Sequence, residues 1–166
     1  MRRFLLLATF IVGTSFTLKS QTLPTPDDFK LYVDWLETKD STLVTFMKEW
    51  IGTKYKLGGN TKKGIDCSQF NKRLYQDVYG LNLENVCYKQ WNQTHRIKIA
   101  DLVIGDLIFF RSKASPSGWH CAVYIGETLF VHAANRYEGV KVSSLEDPRY
   151  KRNYKGAGRI LNNVTL

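Results

Sequence analysis

Hydrophobic positions change their spacing about halfway along this chain. In the first half they recur at helical intervals. Leu31, Trp35 and Leu36 follow Pro24, Pro26 and the capping candidates Asp27 and Asp28, which predicts a first helix. Leu43, Phe46, Met47 and Trp50 make a second buried stripe between about Ser41 and Ile51, ended by Gly52. The stretch from Tyr55 to Gly64 holds Gly58, Gly59 and Gly64 and reads as a loop with tight turns. Phe70, Leu74 and Val78 are spaced i, i+4, i+8, so a helix follows Cys67 and stops at Gly80. That spacing puts Cys67 at a helix N-terminus. A shorter helix is expected around Val86 to Gln93.

Beyond it the runs shorten, fill with Val, Ile, Phe and Tyr, and are separated by Gly, Pro, Ser and Asn. Strands are predicted at Asp106 to Arg111, His120 to Ile125, Thr128 to Ala133, Gly139 to Ser143 and Gly156 to Leu161. Helices first and strands second give an α+β domain, with N-terminal helices packed on a mostly antiparallel sheet of about five to six strands.

The extreme N-terminus departs from both patterns. Arg2 and Arg3 precede an apolar run from Phe4 to Val12 and a smaller, more polar stretch to Ser20. Residues 1–20 therefore read as an export signal, too short to be a comfortable spanning helix. Residues 21–44 are expected to be a helical extension and residues 45–166 the main folded domain. The mature protein is expected to be exported, periplasmic or secreted, without stable membrane insertion, and monomeric.

The 166 residues carry a formal charge of +9. Removing the first twenty takes away Arg2, Arg3 and Lys19 and no acid, so the remainder is basic but not extreme. Its cations, among them Lys54, Lys56, Lys62, Lys63, Arg73, Lys141, Lys151 and Arg152, are scattered without the interleaved aromatics of a single-strand groove. Nucleic acid is not an expected partner. Anionic wall polymers or membrane surfaces suit such a charge.

Cys67, Cys87 and Cys121 are the three cysteines, an odd count that leaves at least one thiol free or paired between molecules; a Cys87–Cys121 bridge would leave Cys67 as the odd one, which spacing alone does not decide. A thiol attacks a carbonyl as thiolate, and the N-terminus of a helix favours that anion. A histidine can take the thiol proton and return it to a leaving amine. The candidates are His120, opening the GWHCAVYIG strand, and His132, in LFVHAA on the next one, where pairing brings the two together. A bond between the imidazoles would fix the ring and tautomer of the base. Alternation along the strand turns Cys121 away from His120, into the opposite layer, as a small buried hydrophobe. His95 falls in the polar segment NQTHRIK and is expected on the surface. A zinc site from Cys67, His120, Cys121 and His132 conflicts with that alternation, and no C-x-x-C is present, so no metal is expected. On spacing alone, Cys67 as an inert core residue remains open.

The ordered blocks GTKYKLGGNTKKGIDCSQF, IGDLIFF, GWHCAVYIG, LFVHAA and GAGRIL resemble the NlpC-type family of bacterial cell-wall cysteine peptidases, over about residues 45–162. The resemblance implies a papain-like core, Cys67 as nucleophile, His120 as base and His132 as the residue that orients it. It also implies that Tyr55 stands beside the nucleophile and that Asp66 and Ser68 line the substrate cleft, with no metal or organic cofactor. The implied partners are peptidoglycan stem peptides, cut commonly between D-γ-glutamyl and a diamino acid. Two positions depart from the family pattern: Gln69 stands where glycine follows Cys-Ser and is grouped with the substrate-binding residues, and Leu57 replaces an aromatic residue. A wall-binding module that has lost turnover and an antibacterial effector amidase are the alternative functions.

Overall fold

Caps and glycines set the helices of the first half. The computed structural model describes residues 26–161, so the expected export signal lies outside the described residues. Helix α1 runs Pro26–Lys39 and α2 Ser41–Trp50, separated by Asp40, whose carboxylate accepts from the Leu43 N–H at 2.8 Å. The predicted stripe of α2 is buried, joined by Val44. The stripe of α1 is only partly so: Leu36 is fully buried, whereas Leu31 is 57% exposed. Helix α1 lies against α2, with Leu36 in the common core and Tyr32 and Val33 packed partly buried against it. Trp35 and Tyr32 meet at a tilt and close over Gly126. Helix α3 spans Cys67–Tyr79 and ends at Gly80, whose φ of 67° is cheap only for glycine. Helix α4 is Cys87–Gln93.

Strands β1 (Asn60–Thr61) and β2 (Gly64–Ile65) form a small hairpin in the glycine loop. The main strands are β3 (His95–Ile97), β4 (Leu107–Arg111), β5 (Trp119–Gly126), β6 (Leu129–Ala133), β7 (Val140–Ser144) and β8 (Tyr154–Arg159). They form one six-stranded sheet in the order β3-β8-β4-β5-β6-β7, with every pair antiparallel. The expected α+β class holds. Strand β3 falls in NQTHRIK, where polarity hid it: its backbone pairs with β8 while His95 stays exposed. Helix α5 (Pro148–Asn153), capped by Asp147, is also absent from the hydrophobic pattern because none of its side chains is buried.

Alternation divides the sheet into two faces. Leu107, Phe109, Cys121, Val123, Ile125, Val131 and Ala133 pack with the helices in the main core. Ile108, Phe110, Ala122 and Phe130 point the other way and form a second cluster with Leu145, Tyr150 and Tyr154. Each fully buried Phe, Leu or Ile contributes about 2 kcal/mol. Strand β8 is tied to the start of β4 by Arg159, whose guanidinium donates to both carboxylate oxygens of buried Asp106 at 2.7 and 2.8 Å.

Candidate active site

Everything at the start of α3 is held by one carboxylate. Asp66 is the N-cap: Oδ1 accepts from the Gln69 N–H at 2.9 Å and from the Ser68 hydroxyl at 2.8 Å. Oδ2 accepts from the Gly58 N–H at 2.8 Å, which ties the glycine loop to the helix. Gly59 passes so close to the Gly64 carbonyl that a Cβ would collide with it. Cys67 is thus the first residue of a 13-residue helix. No backbone acceptor among the described residues meets the N–H of Cys67 or Ser68, and unpaired N–H groups at a helix start favour a developing anion.

The two histidines lie on the second face. Strands β5 and β6 pair Val123 with Val131 and Tyr124 with Phe130, so His132 falls diagonally across from His120. His120 Nε2 and His132 Nδ1 are 2.7 Å apart. The other nitrogen of His132 lies 3.0 Å from the Ser143 hydroxyl on β7 and 3.3 Å from the Tyr150 hydroxyl on α5. Phe110, Phe130 and Tyr150 box in the pair.

Their environments pull the groups apart. Hydrogen bonds from Cys121 and Cys87 hold the Cys67 thiol well below its ordinary range, and the charge and hydrogen bond of His120 add to this against the opposing effect of burial. Burial, then the neighbouring His120 charge, keeps His132 well below the usual histidine range, so it stays neutral. Burial and the Cys67 charge raise the Tyr55 phenol, which therefore remains protonated beside the thiol.

A neutral His132 that donates from Nε2 to Ser143 must accept at Nδ1 from His120 Nε2–H. That leaves His120 Nδ1 for the thiol. This assignment follows from satisfying the network.

Cys67, His120, His132 and Tyr55 are brought together. Ser68 is spent elsewhere: its hydroxyl donates to Asp66 and lies 2.9 Å from the Asn85 carbonyl, so it anchors the loop after α3. Asp66 likewise has both oxygens engaged in holding the site. Gln69 is half-buried, with its backbone N–H used in the cap.

The same nucleophile region is matched by known proteins. Residues 52–159 match the NlpC/P60 family. The chain belongs to the NlpC/P60 family. Over 136 residues it is 38% identical to the murein DD-endopeptidase MepS/murein LD-carboxypeptidase of Escherichia coli K12, covering 82% of this chain and 70% of that protein. An NlpC/P60 family protein from Bacillus cereus has the same fold, with TM-score 0.66, 28% identity, and coverage of 74% of this chain and 40% of that one. The NlpC/p60 domain of the peptidoglycan hydrolase SagA gives TM-score 0.60 at 29% identity, covering 72% and 97%. This NlpC/P60 member is a cysteine peptidase.

Three features escaped the sequence. Ser143 and Tyr150 hold the far nitrogen of His132, and no motif marks them, because they meet it only through strand pairing and the α5 turn. Gln90 is fully buried and donates to the carbonyls of Ser68 and Glu84 at 2.8 and 2.7 Å, bracing α3 against α4. The third corrects an expectation. Cys121 does face away from His120, but the face it joins is the one α3 packs on, so it lies beside Cys67 rather than remote from it. Cys67, Cys87 and Cys121 have their sulfurs within 4.8 Å of one another, close enough to share a soft metal ion. The mixed set with His120 and His132 is not available, since both nitrogens of His132 are engaged.

Proposed function

We propose that this NlpC/P60 protein is an exported peptidoglycan endopeptidase in which Cys67 attacks stem-peptide carbonyls, His120 serves as base and acid, and His132 orients His120. The observation that carries the reading is the 2.7 Å contact between His120 Nε2 and His132 Nδ1, beside a thiol at a helix start.

The Cys67 thiolate adds to the carbonyl carbon, and negative charge develops on the carbonyl oxygen. Unpaired N–H groups at the start of α3 stabilise that oxyanion, each by roughly 3 kcal/mol in comparable sites. His120, protonated at Nδ1, gives its proton to the departing amine as the C–N bond breaks and a thioester remains. Throughout, its Nε2–H stays bonded to His132, which holds the ring in plane. Water, deprotonated by His120, then hydrolyses the thioester and restores the thiol. Because the folded protein favours the thiolate, Cys67 reactivity is retained well below the ordinary thiol range and is lost only as pH falls through its depressed value.

The family resemblance supports the D-γ-glutamyl to diamino acid bond, and the name of the Escherichia coli relative supports the cross-link between D-amino acids or the terminal L,D bond. Digesting purified stem-peptide fragments and cross-linked dimers with the full chain, then weighing the products, separates these bonds. Products formed equally by Cys67→Ala sink the enzyme reading and leave a wall-binding module.

A further inference from the structure

Peptide hydrolysis needs one thiol, yet three converge here. Cys67 Sγ lies 3.4 Å from Cys87 Sγ, and Cys87 Sγ lies 2.7 Å from Cys121 Sγ. Cys87 of α4 is the common neighbour of the nucleophile and the β5 thiol, and all three sulfurs lie within 4.8 Å of one another, so the arrangement is bent. The outer members differ in reach. Cys121 is wholly buried, whereas Cys87 and Cys67 keep 3% and 6% of their surface exposed. A disulfide needs about 2.05 Å between sulfurs, so both contacts are within a small movement of bonding, the inner one more so.

We propose that Cys87 and Cys121 form a disulfide through Cys67, which takes the oxidising equivalent from a small external disulfide and is returned as a free thiol. In the first step the Cys67 thiolate attacks the external disulfide RSSR, forming Cys67–S–S–R and releasing RS⁻. Cys87 then gives up its proton and attacks Cys67 Sγ, which forms a Cys67–Cys87 bond and expels the second RS⁻. Finally Cys121 gives up its proton and attacks Cys87 Sγ, which forms Cys87–Cys121 and releases the Cys67 thiolate. The two protons leave with the two RS⁻ as 2 RSH. In balance, RSSR is reduced and the dithiol pair is oxidised.

The direction follows from which sulfur leaves best. Thiols of lower pKa depart faster and hold a disulfide less tightly. In the reduced protein Cys67 is held low by hydrogen bonds from Cys121 and Cys87, and His120 goes on lowering it when those two sulfurs are bonded to each other, while burial pushes Cys121 up and Cys87 is also raised. The bond therefore settles on the buried pair. An oxidising surrounding thus braces α4 against β5 instead of disabling the nucleophile. The inference needs Cys67 as a reachable thiolate and no particular peptide bond, so its test does not use peptide cleavage.

The reduced full chain is treated with hydroxyethyl disulfide, quenched in acid, alkylated after denaturation and mapped by mass spectrometry. The expected product has one Cys87–Cys121 disulfide and an alkylated Cys67, with iodoacetamide labelling of native Cys67 within twofold of the reduced protein. Its melting temperature is expected to rise by on the order of 10 °C. In Cys67→Ala the bond forms at least tenfold more slowly. In Cys121→Ala oxidation stops at Cys67–Cys87, and labelling of Cys67 is lost until reductant is added. A wild-type end product containing Cys67 in a mixed or Cys87 disulfide overturns the proposal, as does oxidation of Cys67→Ala at the wild-type rate. The wild-type map decides even where a variant fails to fold.

Discussion

The two faces of the six-stranded sheet are made from alternate residues of the same strands, yet they hold their reactive groups by different means. On the helical face Cys67 and Cys121 sit in a core of Phe70, Leu74, Phe109 and Val123, and the thiols have mainly one another for polar company. On the other face His120 and His132 are fixed by directed hydrogen bonds to each other and to Ser143, inside an aromatic box. A thiol tolerates an apolar setting because it is a weak hydrogen-bonding group. A buried imidazole does not, since each ring nitrogen needs a partner. Strand β5 serves both demands at adjacent positions, and the site lies where the two faces meet at its start.

The largest effect should come from breaking the pair across the faces. Cys67→Ala is expected to abolish cleavage, and His120→Ala to lower kcat/KM by roughly 10² to 10⁴, each measured on stem-peptide fragments with the fold checked by circular dichroism. Wild-type turnover by either variant would assign the chemistry to other residues.

Next in size is a clamp that belongs to neither face. Asp106→Ala removes the buried acceptor of the Arg159 guanidinium, which keeps its bond to the Asp101 carbonyl, and the acceptor of the Val103 N–H. A loss of roughly 3 kcal/mol is expected in urea unfolding, with kcat of the folded fraction little changed. A loss below about 1 kcal/mol would show the pair behaving as an ordinary surface bridge.

Acid should weaken the histidine face. His132 is held neutral in the fold, so its pKa there lies below the unfolded value. Between the two values the unfolded chain binds the extra proton, and stability falls as pH drops below about 6.5. The slope from this one group approaches about 1.4 kcal/mol per pH unit. His132→Asn should flatten the profile measured by denaturation from pH 7 to 5. An unchanged slope would place the acid sensitivity elsewhere.

The smallest effect concerns the turn that joins the two histidine strands. Glu127 and Thr128 have φ of 48° and 66°, and a β-branched residue is strained there. Thr128→Gly is expected to raise stability by roughly 0.5 to 1 kcal/mol, unless the lost hydroxyl contact with Ser144 at 3.2 Å cancels it. A melting curve distinguishes these.

Local patterns made much of this legible. The stripe of α2, the start and stop of α3 and the five strands β4 to β8 follow from spacing and glycines, because burial on one side of an element leaves a period in the sequence. Elements without fully buried side chains left none: α5 packs inward only through the half-buried Tyr150 and β3 is polar, and both are defined by backbone pairing or a cap. Helix α1 shows the converse, with periodic apolar residues that the fold leaves largely at the surface.

The sequence by itself determined that Cys67 opens a helix, that His120 and Cys121 face opposite ways, and that His132 follows on the next strand. Those are consequences of short-range geometry, which adjacent residues carry with them. Only the tertiary structure decided which face α3 would pack on. That choice placed Cys121 and Cys87 against the nucleophile and left Ser143 and Tyr150 to complete His132. Contacts between residues 20 and 34 positions apart, such as those among the three sulfurs, depend on how elements dock, and no periodicity encodes it.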